Sequence, residues 1–277
     1  MQVKIPLSGS VLKEQARIIA ARLKIKDFTG SNAWFDRFKE RNNIVFKKTS
    51  GESASVPEET VTTWTNNTLP GILKGYAPQD VYNFDEFGYF YNLLPDKSMM
   101  VKNSDSHGNK QSKARVTVLI GSNADGSDKP APLVIGKSKR PRCFENVRTL
   151  PCKYSNQKNA WMTSEEFTKL VRQFDARMRI AKRKVLLFLD NCPAHPADIP
   201  GLTNVKMVFF PKNCTSRLQP MDQGVVKNVK HYSRVRFGRR LLDMIGRPDI
   251  DKKDFFINLL QAMEFLMVSK FKIFLFV

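Results

Sequence analysis

The chain has 277 residues, of which 42% are hydrophobic and 26% charged, so it can form one or two globular domains with real cores. Its 46 Lys and Arg outnumber 26 Asp and Glu, for a net charge of +20, which favours polyanion binding through counterion release. Nucleic acid is the expected partner, with a merely solubilising basic surface as the alternative. The four scattered cysteines argue against a cysteine zinc site, and no apolar run is long enough to indicate a membrane partner.

Residues 9–42 are predicted to form two helices. The first has apolar residues at helical spacing, namely Val11, Ala16, Ile19, Ala20 and Leu23. The second follows Ser31 as N-cap and has an aromatic face of Trp34, Phe35 and Phe38. Its basic residues and those just beyond it are Arg37, Lys39, Arg41, Lys47 and Lys48. A basic second helix favours a helix-turn-helix DNA-binding segment over residues 1–48, although a plain helical hairpin has the same pattern.

Residues 49–78 are predicted to form a linker and a helix. The stretch TSGESASVPEE is polar and contains proline, as linkers do. Ser55 and Glu58 form a capping-box signature. The helix is therefore expected from about Val56 toward Leu69, where Pro70 interrupts it.

From residue 79 onward the pattern is α/β. Strands are predicted at VYNFDEFGYFY, ARVTVLIGSNADG and PLVIGK, and a helix with a capping box at TSEEFTKLVRQFDARM. Two further strands, KVLLFLDN and NVKMVFFP, precede a long basic helix that ends near Leu242 and an amphipathic helix over residues 252–267. This order predicts a mixed sheet flanked by helices, in which ligands gather at the carboxyl ends of the parallel strands.

Three aspartates lie where such a sheet would bring its strand ends together. Asp85 is in the first strand, Asp190 ends the fourth, and Asp222 begins the following long helix. Asp85 and Glu86 face opposite sides of the strand, so only one of them is expected in a given cluster. Three close carboxylates repel one another unless a divalent cation binds them. Two such ions about 4 Å apart activate a nucleophile and stabilise a leaving oxygen at one phosphate. The alternative is that each aspartate is only a cap or turn residue.

The sequence blocks around these aspartates are specific. They are NFDEFGYFYNLLPDKS, RVTVLIGSNADGSDKPAPLVIGKSKRPRCF, LLFLDNCPAH and VFFPKNCTSRLQPMDQGVVKNVKHYSR. They resemble the pogo branch of the mariner-like DDE transposases, and most closely the Tigger transposable element-derived proteins, with centromere protein B and the jerky proteins as relatives. Upstream, SGSVLKEQARIIAARL and SNAWFDRFKERNNI resemble the second helix-turn-helix of the centromere-protein-B type.

The resemblance implies an RNase-H-like fold over residues 79–277, acting on double-stranded DNA in the nucleus. It also implies that Asp85, Asp190 and Asp222 are catalytic and hold Mg²⁺ or Mn²⁺ in a two-metal site. Phe87 stands where the family more often has a small hydroxyl residue. The family's first helix-turn-helix is missing, and the apolar C-terminus has no cap. We therefore expect a partial DNA-binding segment and a truncated or altered C-terminus.

Other polar and basic residues accompany the triad. The expected supporting residues are Asn191, His195, Gln219 and Gln223. The residues expected to contact DNA in this domain are Lys137, Lys139, Arg140, Arg142, Lys227, Lys230 and Arg234. A homodimer is the assembly to test.

Three functions remain open. The first is metal-dependent DNA cleavage and strand transfer by a transposase-derived protein. The second is sequence-specific DNA binding in the nucleus by a domesticated, non-catalytic protein. The third is an RNase-H-like nuclease that acts on RNA.

Overall fold

The structure is a computed structural model that describes residues 9–42, 44, 58–93, 112, 114–244 and 252–272. The chain forms two compact units, residues 1–54 and 55–277, and each is described by itself.

The first unit contains two helices, α1 (Gly9–Arg22) and α2 (Asn32–Arg41). Ser31 caps α2 as predicted, because its Oγ accepts a hydrogen bond of 3.2 Å from the backbone N–H of Trp34. The Trp34 ring stacks on Phe38 with the ring centroids 5.2 Å apart, and it also meets the edge of Phe28. The aromatic face of α2 therefore holds this helix and its preceding turn together.

The apolar stripe of α1 is less buried than its spacing predicts. Ala20 is buried, but Ile19 and Leu23 are exposed. In the described part of this unit, one short helix and a turn are too small to cover both sides of α1. Lys47 and Lys48, predicted to contact DNA, lie outside the described residues.

The second unit begins with one helical stretch. It consists of α3 (Glu58–Thr63), a π turn (Trp64–Thr68) and α4 (Leu69–Leu73). The α-helix is interrupted near Pro70, as predicted, by the π turn that precedes α4. Pro70 lies in the first turn of α4, where a backbone N–H has no helical acceptor to lose. Ser55, the predicted cap, is outside the described residues.

A mixed six-stranded sheet forms the centre of the second unit, as predicted. Its strands are β1 (Val81–Tyr89), β2 (Val116–Asn123), β3 (Leu133–Gly136), β4 (Lys153–Asn156), β5 (Val185–Leu189) and β6 (Val205–Phe209). Their order in the sheet is β4-β3-β2-β1-β5-β6. The parallel pairs are β1–β5, β5–β6 and β3–β4, while β2 is antiparallel to both of its neighbours. The edge strand β4 was not predicted, because none of its four residues is buried.

Helices cover both faces of the sheet. α5 (Ser164–Ile180) packs on the face that carries Tyr82 and Phe84. The predicted Thr163 cap is present, since its Oγ1 accepts from the backbone N–H of Glu166 at 3.3 Å. The predicted stripe of α5 is buried throughout, namely Phe167, Leu170, Val171, Phe174 and Met178. We call this side of the sheet the α5 face.

The opposite face is covered by the C-terminal helices. After α6 (Thr215–Leu218) and a π turn (Met221–Val225) come α7 (Val226–Met244) and α8 (Leu259–Lys272). Phe87 and Tyr89 of β1 pack among buried residues of α7 and α8, so we call this side the α7 face. α8 begins later than predicted, because residues 252–255 form a separate 3-10 turn.

Candidate active site

Asp85 and Asp190 lie on neighbouring parallel strands, β1 and β5. Asn83 pairs with Phe188 in the β1–β5 register, and two residues farther along each strand lie Asp85 and Asp190. Side chains two residues apart share a face, so Asp85 follows Phe87 onto the α7 face. The pairing of β1 with β5 therefore brings Asp85 and Asp190 to adjacent strands.

A buried asparagine ties together the three segments that carry the predicted triad. The Asn83 Nδ2 donates to the Phe188 carbonyl at 3.0 Å, which fixes β5 two residues before Asp190. The Asn83 Oδ1 accepts from the Met221 backbone N–H at 3.0 Å, one residue before Asp222. Asp222 thus lies in the π turn ahead of α7 rather than in α7 itself. Sequence reasoning missed Asn83, although a buried amide in step with Asp85 was a usable signal.

Asp85 is buried among negative charges. Burial, and then the charges of Asp222, Glu86 and Asp190, raise the pKa of Asp85 to about 8. Asp222 is exposed at the edge of this cluster. The neighbouring carboxylates therefore repel the ionised form of Asp85. A bound cation with oxygen ligands would relieve this repulsion.

On the α5 face, a histidine bridges two acids. His195 Nε2 lies 3.0 Å from Glu86 Oε1, and its Nδ1 lies 2.7 Å from Asp190 Oδ1. Its ring also packs on Phe167, with the centroids 4.1 Å apart. Burial alone would lower the pKa of His195, but hydrogen bonds to Asp190 and Glu86 outweigh burial and raise it to about 10. Burial would raise the pKa of Asp190, but the hydrogen bonds from His195 and from the Cys192 N–H outweigh burial and lower it.

This bridge changes the role expected for Glu86. Glu86 faces away from Asp85, as predicted, and of the two only Glu86 belongs to the cluster with Asp190 and His195. Glu86 reaches Asp190 through His195, and its charge also acts on Asp85. Only tertiary contact reveals this, because His195 is far from Glu86 in sequence.

Among the described residues, one group has ligand atoms close enough to share a metal ion, and it includes Asp190 but neither Asp85 nor Asp222. Glu86, Asp190 and His195 have ligand atoms within 4.8 Å of one another. Both ring nitrogens of His195 are engaged, however, and its raised pKa favours the imidazolium, which cannot ligate a metal. The α7 face carries carboxylate oxygens, the ligands that hard cations prefer, and the charge of Lys230 acts on Asp85 and Asp222 there.

Lys230 of α7 lies near the α7-face carboxylates. Its Nζ is 5.0 Å from the centroid of the Phe87 ring, the residue that departs from the family pattern. Burial and the charge of Arg234 lower the pKa of Lys230, while Asp85 and Asp222 partly oppose this. Phe87 itself is buried in the core of the α7 face. Lys230 was predicted as a DNA contact. It is half-buried, and the charges of Asp85 and Asp222 act on it.

The other predicted supporting residues make different contacts. The Asn191 amide donates to the Phe210 carbonyl at 2.6 Å, and the Gln223 amide donates to the Arg217 carbonyl. Gln219 is 1% exposed, and its side-chain nitrogen and oxygen have no hydrogen-bond partner among the described residues. Its backbone carbonyl accepts from the Asp222 N–H at 3.1 Å. Gln219 is therefore linked to Asp222 through the backbone.

Most of the predicted DNA contacts are exposed. In the second unit the exposed ones are Lys137, Lys139, Arg140, Arg142, Lys227 and Arg234. In the first unit Arg37 and Arg41 are exposed. Lys39 instead pairs with Asp36 at 2.8 Å and lies over the Phe35 ring. The charge of Lys39 is thus partly neutralised by Asp36 within α2.

A mixed sheet with this strand order and acids at adjacent parallel strand ends defines an RNase-H-like domain. Residues 113–274, more than half of the chain, match the family model described as DDE superfamily endonuclease. Residues 2–48 match the model described as Tc5 transposase DNA-binding domain. The chain therefore belongs to the DDE superfamily endonuclease family.

Similar curated proteins confirm the resemblance inferred from the motifs. Tigger transposable element-derived protein 4 of Mus musculus is 34% identical over 95% of this chain and 50% of its own length. Major centromere autoantigen B of Homo sapiens is 32% identical over 96% of this chain and 47% of its own. The chain thus spans about half the length of these relatives.

Solved structures support the fold. The mariner Mos1 transposase in its paired end complex with Mg has a TM-score of 0.52 at 11% identity, covering 99% of this chain and 80% of that one. At this identity the likeness establishes the RNase-H-like fold alone. In the part of the chain that the structure describes, no helix has both the length and the apolar character that a bilayer crossing requires.

Proposed function

We propose that this chain is a transposase-derived DNA endonuclease that cleaves phosphodiester bonds and transfers DNA strands in the nucleus. Asp85, Asp190 and Asp222 are its proposed catalytic residues and the ligands of Mg²⁺ or Mn²⁺ in a two-metal site. The proposed domains are a partial helix-turn-helix at 1–48, a linker and helix at 49–78, and the endonuclease at 79–277.

The observation that carries this proposal is the environment of Asp85. Its carboxyl is buried, lies beside other acids, and has its pKa raised by burial and by their charges. None of the ion pairs among the described residues includes Asp85. Burying an ionised acid costs stability, and a strongly raised pKa in a group of acids is typical of functional sites such as cation sites.

The residues around the triad have distinct proposed tasks. Divalent cations bound there would activate the attacking hydroxyl and stabilise the leaving oxygen at the scissile phosphate. Asn83 holds the two strands and the π turn in register. His195 Nδ1 and the Cys192 N–H contact Oδ1 of Asp190, so Oδ2 is the oxygen proposed to bind the cation.

Duplex DNA is the proposed substrate because of the charge of the chain. Exposed basic residues would contact phosphates and thereby supply affinity that falls as salt rises. The proposed contacts are Arg37, Lys39, Arg41, Lys47, Lys48, Lys137, Lys139, Arg140, Arg142, Lys227, Lys230 and Arg234. A homodimer, which would present two such surfaces, is part of the proposal.

Nicking of supercoiled plasmid in Mg²⁺ or Mn²⁺ tests the proposed activity. Asp85→Asn, Asp190→Asn and Asp222→Asn should each abolish nicking while leaving DNA affinity intact. Asp198→Asn is the matched control, because Asp198 is an exposed aspartate in the loop after Asp190. Equal nicking by all four variants would rule out the triad. Cleavage of RNA–DNA hybrids without cleavage of duplex DNA would instead indicate the RNA nuclease.

A second candidate is a domesticated DNA-binding protein without catalysis. Lys230 favours it, because Asp85 and Asp222 both act on its ammonium, which could supply part of the positive charge that a metal would bring. This candidate predicts DNA binding without Mn²⁺ uptake by the wild-type protein. Calorimetric titration with Mn²⁺ distinguishes the two functions.

A further inference from the structure

A groove of about 740 Å³ lies near the C-terminal end of β1, and none of the proposed triad residues lines it. Its lining comes from the segments that follow β1 and β3 and precede β2 and α5. Two large aromatic rings are exposed there, Trp161 (61%) and Phe90 (44%). Arg115, Lys137 and Tyr154 also line it. The volume is typical of a ligand site.

Trp161 is held outward by a fixed backbone. The preceding residue, Ala160, is fully buried and has φ +53°, a left-handed conformation that is strained for a residue with a Cβ. The Ala160 carbonyl accepts a 2.6 Å hydrogen bond from Thr117 Oγ1 on β2, and its N–H donates to the Gln157 carbonyl at 2.8 Å. Contacts on both sides thus stabilise the strained turn. The exposed indole is a rigid platform rather than a loose surface residue.

Arg115 connects this platform to β1. Its guanidinium lies over the Trp161 ring, 5.1 Å from the centroid. Its side chain also covers Gly88, where an added Cβ would lie 3.5 Å from Arg115 Cδ. Gly88 is on the same face of β1 as Glu86, two residues and therefore about 7 Å away. Arg115 therefore links the groove to β1, the strand that carries Glu86 and Asp85.

The lining has the chemistry of a nucleotide site. It includes the cations Arg115 and Lys137, and no carboxylate is present among its described residues. Flat aromatic rings stack on any base, but only when that base is not already stacked inside a duplex. We propose that the groove binds an unpaired nucleotide of the DNA on which the endonuclease acts. The base stacks on Trp161 or Phe90, and Arg115 and Lys137 contact the phosphate. This inference rests on the proposed function.

Fluorescence anisotropy with two labelled probes tests the groove. The probes are a single-stranded oligothymidylate of about 12 nucleotides and a blunt duplex, both measured in EDTA. Trp161→Leu should weaken oligothymidylate binding roughly 5- to 100-fold and leave duplex binding within about twofold. Trp161→Phe should restore most of the affinity, since it keeps an aromatic face. Arg115→Gln should weaken oligothymidylate binding and reduce its salt dependence.

Phe256→Leu is the matched control, because Phe256 is also 44% exposed but does not line the groove. It should bind both probes like the wild type. Unchanged oligothymidylate binding in Trp161→Leu, or equal losses for both probes, would overturn the proposal. Preferential competition by a proline-rich peptide would also overturn it, because it would identify a protein partner.

The result is separable from the fate of the proposed function. Because both probes are measured in EDTA, oligothymidylate binding is read without bound metal. If the protein takes up no Mn²⁺ but its oligothymidylate binding depends on Trp161, the endonuclease proposal is refuted and the groove proposal stands. Normal Mn²⁺ uptake together with Trp161-independent binding would refute the groove alone.

Discussion

Replacing Asn83 by Leu tests how the fold brings the three aspartates together. Asn83 is buried, and its amide pairs with the Phe188 carbonyl and the Met221 N–H, each at 3.0 Å. Leucine would leave both backbone groups unpaired, at about 1–3 kcal/mol each, so we expect a loss of about 2–6 kcal/mol in the free energy of unfolding. We also expect Mn²⁺ affinity to fall roughly 10–100-fold, as it does when residues that orient metal ligands are replaced.

Asn123→Leu is the matched control for this change. Asn123 is also buried, and its side chain accepts from the Asp128 N–H at 2.9 Å and donates to the Gln79 carbonyl at 3.0 Å. Urea denaturation should give both variants a similar stability loss. Calorimetric titration with Mn²⁺, at a temperature where both are folded, should separate them. Unchanged Mn²⁺ affinity in Asn83→Leu would refute the claim that this asparagine organises the site.

Three other changes give further expected outcomes. Asp85 has its pKa raised to about 8 by burial and by Asp222, Glu86 and Asp190, so the folded metal-free protein loses stability as pH rises from about 4 to 8. Asp85→Asn should therefore raise the melting temperature in EDTA at pH 8.5 by at least about 3 °C, and a lower value would contradict this. Lys230→Met should raise Mn²⁺ affinity roughly tenfold by removing a nearby positive charge, as calorimetry would measure, whereas weaker binding would show that Lys230 supports the site. Asp175 accepts from the backbone N–H groups of residues 203, 204 and 205 at 2.7–3.0 Å, and although burial opposes them these bonds lower its pKa. Asp175→Asn should cost about 2–4 kcal/mol in urea denaturation at pH 7, and the difference should shrink as pH falls below about 4, so a constant difference would contradict the linkage.

The sequence patterns predicted the elements whose burial is regular. The apolar stripe of α5 reflects one buried face, and the continuous apolar run of β5 reflects burial on both faces. Both elements were predicted correctly. The adjacency of Asp85 and Asp190 followed from the parallel pairing of β1 with β5. Exposed elements such as β4 carry no such periodicity, and they were missed.

The features that the sequence did not predict depend on contacts between segments that are distant in sequence. The bridge from Glu86 through His195 to Asp190 joins side chains from β1 and from the loop after β5, which strand alternation alone does not predict. The tie from Asn83 to Met221 requires the π turn before α7, whose position depends on Gly224 at φ +133°. Similarly, Trp161 and Arg115 meet only because the loop before α5 folds onto β2.

The central claim is that the α7-face carboxylates, rather than the histidine bridge, hold the cation. A crystal soaked in Mn²⁺ and measured by anomalous scattering tests this directly. The account predicts an anomalous peak about 2 Å from carboxylate oxygens of Asp85 and Asp190, with the His195 ring still bonded to Glu86. A peak on His195 and Glu86, or no peak near Asp85, would contradict it.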